Sequence, residues 1–285
     1  MTASPRTILV VVHPTKVEAQ VFAQELATAL ISKGFEVVTN SSLRLEGVSP
    51  LVDPGALELA VVLGGDGTIL RAAELVRGFP IPILGVNLGN VGFLAEIAKP
   101  TLAEIVAGIE AQNYRSEPRL ILHFDVLRDG EVVDSGWALN EVTIERNTAQ
   151  MVELFIQIDG RPLSRWGCDG VICSTPTGST AYAFSAGGPV VWPEVNALVL
   201  LPLAAHALFS RPMVVSPDSS IAIDVESIDA HLSADGIRKV GLIQHDRVLL
   251  TRDPQQVLLT HLENSVFTDR LVAKFKLPIE GWRGE

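Results

Sequence analysis

The sequence has little cysteine, few aromatic side chains and a deficit of positive charge. Only two cysteines, Cys168 and Cys173, occur in 285 residues. No His or Cys stands near them at metal-ligand spacing, which excludes a zinc ribbon and a disulfide framework. Both are expected to be reduced thiols, one of them packed in a strand. Lys and Arg number 22 against 33 Asp and Glu, a formal net charge of −11. That sign excludes a broad surface for nucleic acid or anionic membrane. Long apolar runs are missing as well: the longest, Ala197 to Ala205, contains Pro202 and is about half of what a bilayer crossing needs. Near the N-terminus the apolar run is Ile8 to Val12, with no charged-then-apolar leader layout around it, so a cytoplasmic chain is expected. No internal repeat or low-complexity stretch is visible.

What the sequence does have is apolar residues, 47% of the chain, and a length that fits about two domains of roughly 150 residues each. Its first part alternates buried-strand runs with helix-period segments. Ile8 to Val12, Leu59 to Leu63 and Ile81 to Val86 are continuous apolar runs, as expected of strands covered on both faces. Between and after them, Phe22, Leu26, Ala29 and Leu30, then a run through Arg77, then Leu102, Ile105, Val106 and Ile109, keep helical spacing. This pattern predicts βαβ units on a mostly parallel sheet. Beyond Pro118 the period changes. Runs such as 120–124, 142–144, 154–158, 171–173, 213–215, 221–225 and 247–250, with Asp-Gly turns at 129–130 and 159–160, predict antiparallel strands. The expectation is an α/β domain over 1–118, a β-rich, sandwich-like domain over 119–260, and a segment over 261–285 that returns to the first domain.

Three local patterns carry chemistry. Gly64-Gly65-Asp66-Gly67-Thr68 follows a buried strand and opens a helix, where bare backbone N–H groups can meet phosphate oxygens. No Lys follows, so it is not a Walker A loop. Its central carboxylate would repel a phosphate but can accept a proton from an attacking hydroxyl or hold Mg²⁺; a plain glycine turn capped by a helix-favouring Asp is the bland alternative. The second pattern runs from Ser174 through Thr175-Pro176-Thr177-Gly178-Ser179-Thr180-Ala181 to Tyr182. Its dense hydroxyls suit ribose and phosphate, and Tyr182 can add an aromatic face; a Ser/Thr-capped helix start reads the same locally. The third, Asn140-Glu141, can grip vicinal hydroxyls or a purine edge, although two polar residues in a strand are commonplace.

Taken together, and in this order, the three patterns resemble the NAD kinase family, with further likeness at Gly85-Val86-Asn87-Leu88-Gly89, Gly92-Phe93-Leu94, Asp169-Gly170 and Ser185-Ala186-Gly187-Gly188-Pro189. The glycine-aspartate loop alone is shared with lipid kinases and phosphofructokinases; the long threonine-rich pattern is the specific one. The resemblance implies transfer of a phosphoryl group from ATP or inorganic polyphosphate to the 2′-hydroxyl of the adenosine ribose of NAD. It also implies a site between the two domains, Mg²⁺ carried with the donor rather than in a protein cage, and a homodimer or homotetramer.

Carried over by position, the resemblance makes Asp66 the base, with Gly67 backing the nucleotide and Arg71 facing a phosphate. NAD would be held by Asn140, Glu141, Asp169, Thr177, Thr180, Ala181, Tyr182 and Ser185. Phe93 would pack near the adenine and Asn87 would brace its loop. Two departures stand out: Ile237 follows Asp235-Gly236 where the family often has a polar residue, and Gly167 stands where some members have Arg, with Arg165 near enough to substitute. Two other readings stay open at this point, a lipid or small-hydroxyl kinase and a non-catalytic NAD(P)-sensing module. The acidity is uneven: residues 1–118 carry −4 and residues 119–260 carry −7. Small anionic ligands must therefore rely on local N–H groups, hydroxyls, Arg71 and Mg²⁺.

Overall fold

A computed structural model describes residues 5–40, 44–89, 92–95, 100–227, 229–262 and 266–279. The chain divides into two compact units, Met1–Pro118 with Val257–Glu285, and Arg119–Gln256.

The first unit is built from β1 (Thr7–Val12), α1 (Val17–Ser32), β2 (Glu36–Thr39), β3 (Ser49–Pro50), β4 (Leu57–Leu63), α2 (Asp66–Leu75), β5 (Pro82–Val86) and α3 (Leu102–Ala111). Its strands are parallel, in the order β5-β4-β1-β2-β3. The central runs are apolar throughout because both faces are covered: Leu9, Val10, Leu59, Val61, Leu63 and Leu84 are all fully buried. α1 turns Ala19, Ala23, Leu26, Ala27 and Leu30 inward, the one-sided stripe that helical spacing requires. α2 ends at Leu75, short of the expected Arg77, with Val76 as its C-cap. α3 starts with a capping box between Thr101 and Glu104, which satisfies donors that the first helical turn cannot.

The second unit begins inside β6 (Arg115–Arg128) and continues through β7 (Glu131–Ala138), β8 (Glu141–Arg146), β9 (Val152–Ile158), β10 (Arg161–Cys168), β11 (Gly170–Ser174), α4 (Tyr182–Ser185), β12 (Leu198–Leu203), β13 (Met213–Val215), β14 (Ile221–Val225), β15 (Asp229–Ala234) and β16 (Arg238–Ile243) to β17 (Arg247–His261). One antiparallel sheet runs β13-β12-β11-β8-β15-β16. The other contains β10, β9, β14 and the first part of β17, and β6 pairs with β7 and β17. Phe124, Leu154, Ile156, Ile144, Leu200 and Leu232, from both sheets, share one core, so this unit is a sandwich. The two thiols lie buried in it, and burial pushes each up to about 12. Asp129-Gly130 and Asp159-Gly160 turn with positive φ at both residues, and so does a third pair, Asp235-Gly236. That geometry matches the twist of the strands they join.

β17 does not stop at Leu250. Its last residues belong to the first unit, where Leu258–Thr260 pair in parallel with β5, and α5 (Phe267–Phe275) follows. The end of the expected returning segment, 280–285, lies outside the described residues.

Candidate active site

In the first unit, Gly65 is the N-cap of α2 and Asp66 its first residue, where a carboxylate is favoured by the helix dipole. The Asp66 side chain reaches across to the turn after β5. Its Oδ2 accepts the Phe93 N–H at 3.1 Å and its Oδ1 the Leu94 N–H at 3.2 Å. Gly92 leaves room for this: a Cβ there would lie 2.2 Å from Oδ1. Gly67 is exposed, and a Cβ on it would meet none of the described atoms within 4 Å. Space therefore remains beside Gly67, the residue after Asp66 in α2. Arg71 lies exposed on the same helix. Asn87, at the end of β5, accepts the Gly89 N–H at 2.9 Å, a brace on its own loop. The ring of Phe93 lies between Phe267 and Phe275, and its main-chain N–H is what meets Asp66.

In the second unit, pairing brings three segments to one end of a sheet. β8 is flanked by β11 and β15, with Glu141 opposite Ser174 and Val142 opposite Ala234. Asn140-Glu141 at the start of β8 thus stands between the threonine-rich segment and the Asp235-Gly236 turn. The hydroxyls divide into two groups. Ser174, Thr175 and Ser179 are fully buried and serve the backbone. Ser174 Oγ donates to the Asn140 carbonyl, Thr175 Oγ1 to that of Leu139 at 2.6 Å, and Ser179 Oγ to that of Pro176 while accepting the Val191 N–H. Thr177 is buried, Thr180 and Ala181 are part-buried, and Tyr182 and Ser185 are exposed. Thr180 Oγ1 donates to the Thr177 carbonyl.

Asp235 is the residue that sequence reasoning undervalued. Its carboxylate, 1% exposed, turns back and accepts the N–H groups of Leu139 at 2.8 Å, Asn140 at 2.7 Å and Glu141 at 3.3 Å. It shapes the Asn140-Glu141 bend. Burial pushes its carboxyl up to about 6 against those three hydrogen bonds. Glu141 is buried too, and burial together with the neighbouring Asp235 pushes it up to about 8, although the Tyr182 N–H favours its charged form. Its Oε2 is buried and makes no hydrogen bond among the described residues, a polar atom left ready for a ligand. Tyr182 is raised by burial and by the carboxylates of Glu145, Glu141 and Asp169, which places its phenol among the acids of this site.

Asp169 is half exposed and bound to Arg146 at 2.7 Å. Arg165 instead pairs with Glu226 at 3.0 Å and lies over the Phe155 ring. The arginine paired with Asp169 is thus Arg146, on β8, the strand beside β11. Arg238 stacks on Trp137 and donates to its carbonyl, while Ile237 is exposed. Among the described residues no three His, Cys, Asp or Glu side chains form a group able to hold a metal ion. No helix there is long and apolar enough to cross a membrane.

Comparison with known proteins adds to this geometry. The family models for the ATP-NAD kinase N-terminal and C-terminal domains match residues 8–114 and 139–262. The NAD kinase of Leifsonia xyli subsp. xyli is 48% identical over 298 residues, covering 99% of this chain and 98% of that one. The NAD kinase of Mycobacterium tuberculosis is 44% identical over 308 residues, covering both chains fully. Among solved structures, an NAD kinase from Archaeoglobus fulgidus in complex with ATP matches with a TM-score of 0.72 at 27% identity, over 95% of this chain and 98% of that one. Yeast NADH kinase complexed with NADH shares the fold at a TM-score of 0.88 and 23% identity, over 100% of this chain and 91% of that one. By the full-length likeness to these enzymes and the two domain matches, the chain belongs to the NAD kinase family.

Proposed function

We propose that this NAD kinase phosphorylates the 2′-hydroxyl of the adenosine ribose of NAD, with ATP or inorganic polyphosphate as donor. The observation that carries the reading is Asp66: a carboxylate at a helix N-terminus, held by two main-chain N–H groups, with open space beside Gly67. Phosphoryl transfer asks mainly for alignment and neutralised charge. Asp66 takes the proton of the attacking hydroxyl as its oxygen bonds to the terminal phosphorus. The bond from that phosphorus to the bridging oxygen breaks, and the shortened donor leaves with the electron pair. Arg71 and the N-terminal N–H groups of α2 face the donor phosphates.

In the second unit, Asn140, Glu141, Thr177, Thr180, Ala181, Tyr182 and Ser185 hold NAD, with Asp169 set by Arg146. Glu141 meets NAD with the unpaired Oε2, which accepts from a ligand hydroxyl when charged and donates to a ligand oxygen when protonated. The donor arrives as its Mg²⁺ chelate, the ion lowering the charge on its phosphates. The same reading includes a homodimer or homotetramer working in the cytoplasm.

The test is NADP formation by purified protein with each donor in turn, read by a coupled NADP-specific dehydrogenase. Asp66→Asn is expected to bind NAD within a few-fold of the parent while kcat falls by about 10². Near-normal turnover in that variant, or NAD binding without NADP formation with either donor, overturns the proposal.

A further inference from the structure

α5 is nine residues long, too short to hold its shape without tertiary contacts, and it directs three side chains at Phe93. The rings of Phe267 and Phe275 flank the Phe93 ring with centroids 6.0 and 5.6 Å away. Arg270, only 1% exposed, donates from Nη1 to the Phe93 carbonyl oxygen at 3.4 Å. Burying a guanidinium is costly unless it is hydrogen-bonded, so its position on this carbonyl calls for a role.

The Phe93 carbonyl and the Leu94 N–H belong to one peptide group. A cation on the carbonyl polarises that group and makes its N–H a better donor, and this N–H is the one that Asp66 Oδ1 accepts. The preceding N–H, of Phe93 itself, meets Oδ2. Both anchors of the carboxylate therefore sit on the residue pair that α5 grips by ring and by charge.

We propose that Arg270 is a positioning residue for phosphoryl transfer, holding the Asp66 carboxylate in place through the Phe93–Leu94 peptide, with Phe267 and Phe275 packed on the Phe93 ring. This rests on Asp66 being the base. Arg270 touches no reacting atom.

The test combines Arg270→Met and Arg270→Lys, each alone and with Asp66→Asn, in assays of kcat and KM for NAD and in thermal unfolding. Arg270→Met is expected to lower kcat about tenfold with KM within twofold, and Arg270→Lys to recover part of the loss. In the Asp66→Asn background either change is expected to move kcat less than twofold, because the group it acts through is gone. Equal losses in the two backgrounds, a raised KM with unchanged kcat, or a lowered Tm with kcat retained would each overturn the inference. If Arg270→Met does not fold, Phe275→Leu, at a part-buried ring, takes its place in the same comparison. Near-normal turnover of Asp66→Asn alone would overturn the assignment of the base; a large loss there with additive Arg270 effects would overturn this inference only.

Discussion

Gly178 lies against the main chain of Asn140 so closely that a Cβ on the glycine would stand 2.1 Å from the Asn140 carbonyl oxygen and 2.4 Å from its carbon. The Asn140 backbone has little freedom to retreat, since its N–H is bound by Asp235 and its carbonyl accepts the Thr175 N–H at 2.9 Å. Gly178→Ala is therefore expected to drive the two segments apart. Stability should fall by about 3 kcal/mol, toward the upper end for overpacking, measured by urea unfolding, and KM for NAD should rise.

Gly92 and Gly67 make a contrasting pair. Gly92→Ala puts a methyl into the Asp66 carboxylate, so kcat is expected to fall at least about tenfold with little change in KM. Gly67→Ala meets none of the described atoms within 4 Å and, lying in α2, is expected to leave Tm unchanged or slightly raised, yet to raise KM for the nucleotide that approaches there. Steady-state kinetics beside thermal unfolding separates the two cases.

The buried pair of Glu141 and Asp235 gives stability a definite pH dependence. Both carboxyls are raised in the folded chain, to about 8 and about 6. At acid pH both are protonated whether or not the chain is folded, and burial carries no charge penalty. As pH rises, the unfolded chain releases these protons first and the folded chain holds them longer, so stability from the pair is lost from about pH 4 up through about pH 8. Glu141→Gln removes the larger share. Its Tm should exceed that of the parent by several degrees near pH 8, and the difference should shrink as pH falls toward about 5. An unchanged difference across that range would remove the coupling from the account.

Metal removal tests the charge argument. With a net charge of −11, the protein's overall field opposes a triphosphate. Turnover should vanish with a chelator in excess and return when Mg²⁺ is added beyond the donor, while thermal unfolding stays within about a degree, as expected if the ion travels with the substrate.

Much of this architecture was legible in the sequence because it rests on local rules. The apolar runs of β1, β4 and β5 and the change of period after Pro118 follow from which faces are covered, and the three site segments carry their residue types in order. What was not legible depends on where strands pair. Asp235-Gly236 looks like Asp129-Gly130 and Asp159-Gly160, and only the pairing of β15 with β8 turns its carboxylate toward Asn140. The pairing of β11 with β8 brings Arg146 to Asp169, while Arg165 goes to Glu226. The grip of Arg270 on Phe93 joins positions far apart in the chain, with no spacing signal to announce it. Of the hydroxyls that looked like a ligand-binding array, Ser174, Thr175 and Ser179 hold the backbone.

The passage of β17 from the second unit into the first has a consequence for how the protein is made. The parallel sheet of the first unit includes Leu258–Thr260 beside β5, and the helix that grips Phe93 comes later still. A nascent chain that has emerged only through Pro118 has most of that unit's residues but an unpaired β5 edge and no support for its Phe93 turn. The Phe93 turn is thus completed last, after the intervening sandwich has been synthesised, and a fragment cut at the apparent domain boundary would carry Asp66 and its two N–H partners without the α5 contacts that hold Phe93.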